Sequence, residues 1–102
     1  MAFINGPVPE LVERLATATP AQFERDLRAA WPAVTGSAAG GTLRITTDEV
    51  RLDIEIEPLG VRRLGLFELP QLCVRYRFSG ADEVARRTLL ATLDRGMQKG
   101  GG

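Results

Sequence analysis

The side chains available for chemistry are few in kind. The chain has one cysteine, Cys73, no histidine, and 13 basic residues of which all but Lys99 are arginine. Without histidine there is no imidazole acid–base catalysis, no histidine-containing triad and no histidine zinc ligand. A single cysteine can form neither an intramolecular disulfide nor a cysteine-built metal cluster. Cys73 could serve as a nucleophile if neighbouring arginines lowered its pKa, but a lone cysteine in a strand pattern is more often filler. Asp53, Glu55 and Glu57 alternate along one strand face and could meet a hard cation. With arginines beside them, ion pairing is the simpler expectation. Arg63, Arg75 and Arg77, together with Phe67, place guanidinium groups and one aromatic ring on a sheet surface, the equipment that RNA-binding sheets use to stack bases. The acidic neighbours would repel phosphate, so a cross-strand charge ladder is favoured. The candidate binding residues are therefore Arg63, Phe67, Cys73, Arg75 and Arg77. No cofactor or metal is implied, no catalytic residue is nominated, and an enzyme is disfavoured.

The elements that must position these residues follow from periodicity. Leu11, Val12 and Leu15 lie at helical spacing after Pro7 and Pro9, which predicts a short helix over 9–17. Thr19, Pro20 and Gln22 form a capping-box pattern ahead of Phe23, Leu27 and Trp31, which predicts a second helix ended by Pro32. Residues 33–41, rich in Gly, Ala and Ser, read as a flexible connector. They lack the GxxxxGK[ST] pattern of a phosphate cradle. From Thr42 the period is two: Leu43 and Ile45, then Val50, Leu52, Ile54 and Ile56, then Leu64 and Leu66, then Leu72, Val74, Tyr76 and Phe78. Ser79 and Asp82 suggest a cap for a closing helix over 81–98, with Gly96 as a weak point and a loose glycine tail at 99–102. The expected fold is α+β in two layers, with two N-terminal helices, a four-stranded antiparallel meander and a C-terminal helix, all helices on one sheet face.

Face parity gives a register. Turns at 47–48, 58–60 and 69–71 set Ile45 beside Val50, Ile54 beside Leu64, and Leu66 beside Val74. On the outer face Glu55 then neighbours Arg63, which neighbours Arg77. Gly65 lies between Asp53 and Arg75, and Arg44, Arg51, Phe67 and Cys73 form a row. The last strand becomes a long apolar edge, an aggregation hazard that a second copy paired through residues 71–78 would cover.

The bulk numbers fit one domain spanning residues 1–102, with residues 1–8 as a lead-in. Thirteen acidic residues balance the basic ones, and the net charge of zero disfavours nucleic acid or an anionic membrane as partner. Arginine and alanine abundance suggests a bacterium with a GC-rich genome. No apolar run reaches the length of a membrane span and no secretory pattern opens the chain, so a cytoplasmic address is expected.

The chain finishes Lys99-Gly100-Gly101-Gly102. A terminal diglycine, here Gly101 and Gly102, resembles the tail of ubiquitin-like sulfur carriers, whose terminal carboxylate is adenylated and converted to a thiocarboxylate. The resemblance implies a carrier role for that tail. In that family the tail leaves a β-grasp fold from a strand, whereas here the pattern before it is helical. The leading expectation is a small non-catalytic protein-binding or regulatory module that meets another protein or a second copy of itself. Carriage through the tail and RNA binding through the sheet face are the alternatives.

Overall fold

Alternation runs further along this chain than the sequence alone suggests. The computed structural model describes residues 7–101. They form five strands and two helices: β1 (Leu11–Thr17), α1 (Pro20–Ala30), β2 (Thr35–Ser37), β3 (Thr42–Thr46), β4 (Arg51–Leu64), β5 (Phe67–Ser79) and α2 (Glu83–Gly101). The sheet is antiparallel throughout, in the order β1-β5-β4-β3-β2. Phe23 and Leu27 of α1 and Leu89, Leu90 and Leu93 of α2 share one core with Val12, Leu43, Ile45, Leu52, Ile54, Leu72, Val74, Tyr76 and Phe78 of the strands. The α+β class is as expected; the counts of helices and strands are not.

The expected helix at 9–17 is the edge strand β1. Its inward residues are Val12, Arg14 and Ala16, and Arg14 disguises the alternation because a charged residue reads as outward. Here its guanidinium donates to Asp94 of α2 at 2.6 Å and lies 5.5 Å from the Tyr76 ring centroid. β1 occupies the edge of β5, from Leu11 opposite Arg77 to Thr17 opposite Gln71. The pairing of two copies through 71–78 is thereby replaced by pairing within the chain.

The connector at 33–41 is also ordered. Glu24 and Arg28, one turn apart on α1, act together on its backbone. Arg28 donates to the Val34 and Gly36 carbonyls and to Glu24, and Glu24 accepts the Ala38 N–H at 2.7 Å. That N–H, with Arg28 second, holds the Glu24 carboxyl below its ordinary range. Gly36 carries a positive φ of 88°, and a Cβ there would collide with the Thr42 carbonyl of the neighbouring strand.

The hairpins shift as well. Thr47 to Val50 close the β3–β4 hairpin, with Thr47 N–H bonded to the Val50 carbonyl, and Ile45 stands opposite Leu52. Residues 58–60 are not a turn. The register slips between Pro58 and Gly60, leaving a bulge, and β4 continues to Leu64. Residues 69–71 are likewise inside β5. The chain reverses at Gly65-Leu66, where Gly65 alone has positive φ (60°), the pattern of a type II′ turn. Both prolines are tolerated for one reason. The bonds from Ile56 N–H to Gly41 and from Phe78 N–H to Glu10 fix which residues of β4 and β5 direct their amides outward. Pro58 and Pro70 share that parity, and each lies past the end of the flanking strand, so neither removes a ladder bond.

The α1 cap is as expected: Thr19 Oγ1 accepts from Gln22 N–H and Gln22 Oε1 from Thr19 N–H. The cap of α2 is Asp82 rather than Ser79; its carboxylate accepts the Ala85 N–H at 2.8 Å. Helix α2 continues to Gly101 rather than ending near residue 98, because glycine disfavours a helix by entropy while still supplying its backbone groups. Residues 1–6, including Phe3 and Ile4, and the terminal Gly102 lie outside the described residues.

Candidate interaction surface

Two surfaces present the residues singled out by the sequence. The first is the sheet face turned away from the helices. Arg75 lies between Glu13 of β1 (2.7 Å) and Glu57 of β4 (2.9 Å). These two acceptors, Glu13 first, strengthen the hold of Arg75 on its proton. Arg77 meets Glu55 at 3.0 Å and Arg44 meets Asp53 at 2.6 Å. Cys73 is half-buried on the same face, between Leu15 on one side and Glu57 on the other. The charge ladder therefore exists, with partners different from those the expected register gave. Each of Asp53, Glu55 and Glu57 is engaged by an arginine. Among the described residues no group of three His, Cys, Asp or Glu side chains could hold a metal ion.

The second surface has no counterpart in the sequence expectation. Beyond the ends of β1 and β3, the paired strands β4 and β5 project as a two-stranded arm from Pro58 to Pro70. Among the described residues, no strand flanks it beyond the β4–β5 pair itself. Leu66 at its tip is 100% exposed and Phe67 is 71% exposed, and Leu59, Val61 and Leu64 are exposed as well. Arg63, expected on the sheet face beside Arg77, is on this arm, 3.3 Å from Glu68 and exposed. Phe67 pairs with Leu64 across the turn rather than lining up with Cys73. The five candidate residues thus fall into two groups: Cys73, Arg75 and Arg77 on the sheet face, and Arg63 with Phe67 on the arm. Alternation alone points Leu64 and Leu66 into the core. The signal against that is local: Gly65 separates them, and Arg62-Arg63 interrupts the alternation just before.

A third feature is an open cleft of about 230 Å³ between α2 and the β3–β4 turn, lined by Trp31, Val50, Val84 and Leu89 among others. Three of its polar side chains are engaged in local structure. Asp82 caps α2, the Thr47 hydroxyl accepts the Glu49 and Val50 amides, and the Thr92 hydroxyl donates to the Thr88 carbonyl. Among the described residues no helix is long and apolar enough to cross a membrane. No family model, curated protein or solved structure matches the chain.

Proposed function

We propose that this chain is a non-catalytic protein-binding or regulatory module of a bacterial cytoplasm, which engages a partner protein through the apolar side chains of the β4–β5 arm. The observation that carries this reading is the exposure of Leu59, Val61, Leu64, Leu66 and Phe67 on one projecting element. Leu64 and Phe67 stand opposite each other on one face of the arm, with Leu66 at the turn between them, and an exposed apolar cluster of that kind marks interaction sites. Burying a leucine or phenylalanine contributes roughly 1.5–3 kcal/mol, so Leu66 and Phe67 together outweigh any exposed ion pair, at about 0–1 kcal/mol each. Pro58 and Pro70 remove amide donors from the two free edges of the arm, so recognition would fall to side chains rather than to an added strand.

The alternative readings have less support. An RNA-binding sheet face needs guanidinium groups free to meet phosphate, and Arg44, Arg75 and Arg77 each engage a carboxylate. A carrier tail needs an extended end to enter an adenylating site, and α2 runs to Gly101.

The test is affinity purification from the native host through an N-terminal tag, with nuclease, comparing four forms: the wild type, Arg75→Gln/Arg77→Gln, Leu66→Ser/Phe67→Ser and a deletion of Gly101 and Gly102. A stoichiometric protein should copurify with the wild type and with Arg75→Gln/Arg77→Gln, and be lost with Leu66→Ser/Phe67→Ser. Recovery that depends on Arg75 and Arg77 and vanishes with nuclease would overturn the proposal in favour of RNA. Recovery of an adenylating enzyme that depends only on Gly101 and Gly102 would favour the carrier.

A further inference from the structure

The sheet has two outer edges, and they are treated differently. At one end is β2, three residues long, with the Val34 and Gly36 carbonyls beside and within it already bonded to Arg28. A short edge closed by a cation is a common guard against strand addition. The arm edges are guarded by Pro58 and Pro70. The remaining edge is β1, seven residues from Leu11 to Thr17, and it has none of these guards. It holds no proline, no lysine and no bulge. Its two charges are turned to other duties, Arg14 to Asp94 and Glu13 to Arg75. Leu15, in the second half of the strand, is 72% exposed.

Among the described residues, no strand pairs with the backbone on this edge. Phe78 N–H bonds to the Glu10 carbonyl. Antiparallel bonding alternates, so Val12, Arg14 and Ala16 direct their backbone groups toward β5, and Leu11, Glu13, Leu15 and Thr17 direct theirs outward. The side chains of this outward set lie on the sheet face that carries Cys73 and Arg75.

We propose that β1 is a homodimer interface, on which β1 of a second copy adds antiparallel about a two-fold axis at Leu15. Among axes that pair at least five residues of β1, parity and charge select that register. A two-fold pairing must match outward-bonding residues with each other, which leaves axes at single residues. An axis at Glu13 sets Glu13 against Glu13 of the second copy. An axis at Arg14 sets Arg14 against Arg14. An axis at Leu15 sets Glu13 against Thr17, Arg14 against Ala16, and Leu15 against Leu15, with no like-charge rung. The two sheets then join into one, and the most exposed apolar side chain of the strand is covered by its own copy. This interface is independent of the arm, which stays free at the far end of the β4–β5 hairpin.

The register is tested by thiol pairing in the full-length chain. Cys73 is first replaced by serine, because it stands opposite Leu15 within one chain. Residues at a bonded antiparallel rung have Cα atoms about 5.5 Å apart, inside the disulfide window of about 4.4–6.8 Å. With oxidised glutathione, Leu15→Cys should cross-link nearly completely to a dimer. Glu13→Cys and Thr17→Cys should each stay monomeric on a denaturing gel, yet cross-link when mixed. In sedimentation, the wild type should have twice the chain mass, and Leu15→Lys should revert to the chain mass with unchanged circular dichroism. Leu66→Asp/Phe67→Asp should leave the dimer intact, which separates this interface from the arm. A wild type of single-chain mass at all concentrations would overturn the proposal. So would a dimer that survives Leu15→Lys, or one dissolved by the arm variant.

Discussion

Gly96 offers a test in which two physical effects predict opposite signs. It lies in the interior of α2, where alanine should be favoured by about 1 kcal/mol on helix propensity alone. The packing argues otherwise. A Cβ at position 96 would stand 2.6 Å from the Ala30 Cβ and 2.9 Å from the Ala30 Cα of α1. Carbon atoms in good contact are about 3.5–4.0 Å apart, so the helices would have to separate by roughly 1 Å. One of the colliding atoms is backbone, so no side-chain rotation relieves the contact. The helices are tied to one core through Leu27, Leu89, Leu90 and Leu93, and forced expansion of such a core costs about 1–3 kcal/mol. After the propensity gain is offset, Gly96→Ala should lose up to about 2 kcal/mol. At about 4–8 °C per kcal/mol for a chain of this size, the melting temperature should fall by up to roughly 16 °C. Urea unfolding followed by the fluorescence of Trp31, the sole tryptophan and the residue after Ala30, gives the free energy directly. In a double-mutant cycle, Ala30→Gly should cost less in the Gly96→Ala background than in the wild type. A Gly96→Ala variant more stable than the wild type would refute the close approach of α1 and α2.

Tyr76 is the only tyrosine, so its ionisation can be followed by ultraviolet absorbance without interference. Burial pushes its pKa up to about 12, with Arg14 opposing. The unfolded chain releases this proton near pH 10, so stability should be intact below pH 10 and fall between pH 10 and 12, by about 2 kcal/mol at the upper end; a transition near 10 in the folded protein would contradict this. Glu24 is shifted the other way, so its contribution is present above pH 4.5 and lost as pH falls through its lowered value. Glu24→Gln should therefore destabilise at neutral pH and speed exchange of the Ala38 amide, with the gap to the wild type closing in acid; a gap independent of pH would refute the clamp. Thr19→Ala removes the α1 cap and should cost about 1 kcal/mol in urea unfolding; no measurable change would mean that the cap does not contribute.

What can be read from the sequence is local. The α1 cap is legible because Thr19, Pro20 and Gln22 act within one turn. The alternation of Leu43 to Ile56 and of Leu72 to Phe78 is legible because every inward residue there is apolar. β1 is not, since its inward Arg14 is satisfied by Asp94, far along the chain. β2 is hidden for a similar reason: glycine and serine say flexible, and only Glu24 and Arg28 on another element make them a strand. Pro58 and Pro70 signal turns because a proline in a strand is costly only where its amide would be bonded, and which edge is free depends on strand order. That misplaced turn carries the candidate site with it. Parity puts Arg75 and Arg77 on the correct face, while it draws Arg63 and Phe67 onto that face from the arm. Leu66, the most exposed large apolar side chain among the described residues, is the residue that alternation misplaces furthest, from the arm tip into the core.

The strand order has a consequence for how the chain is assembled as it is made. β1 emerges first, but its partner β5 is next to last, and Leu11 must wait for Arg77. Until then β2, β3 and most of β4 can pair with one another, while β1 has no place in the sheet. β5 must then enter between two strands already synthesised, a non-local step of the kind that slows folding. During that interval the nascent chain has an apolar strand with both edges open, and crowding of neighbouring nascent chains would favour wrong pairings. Slower translation between Thr17 and Phe67 should lower the yield of folded protein, and faster delivery of β5 should raise it.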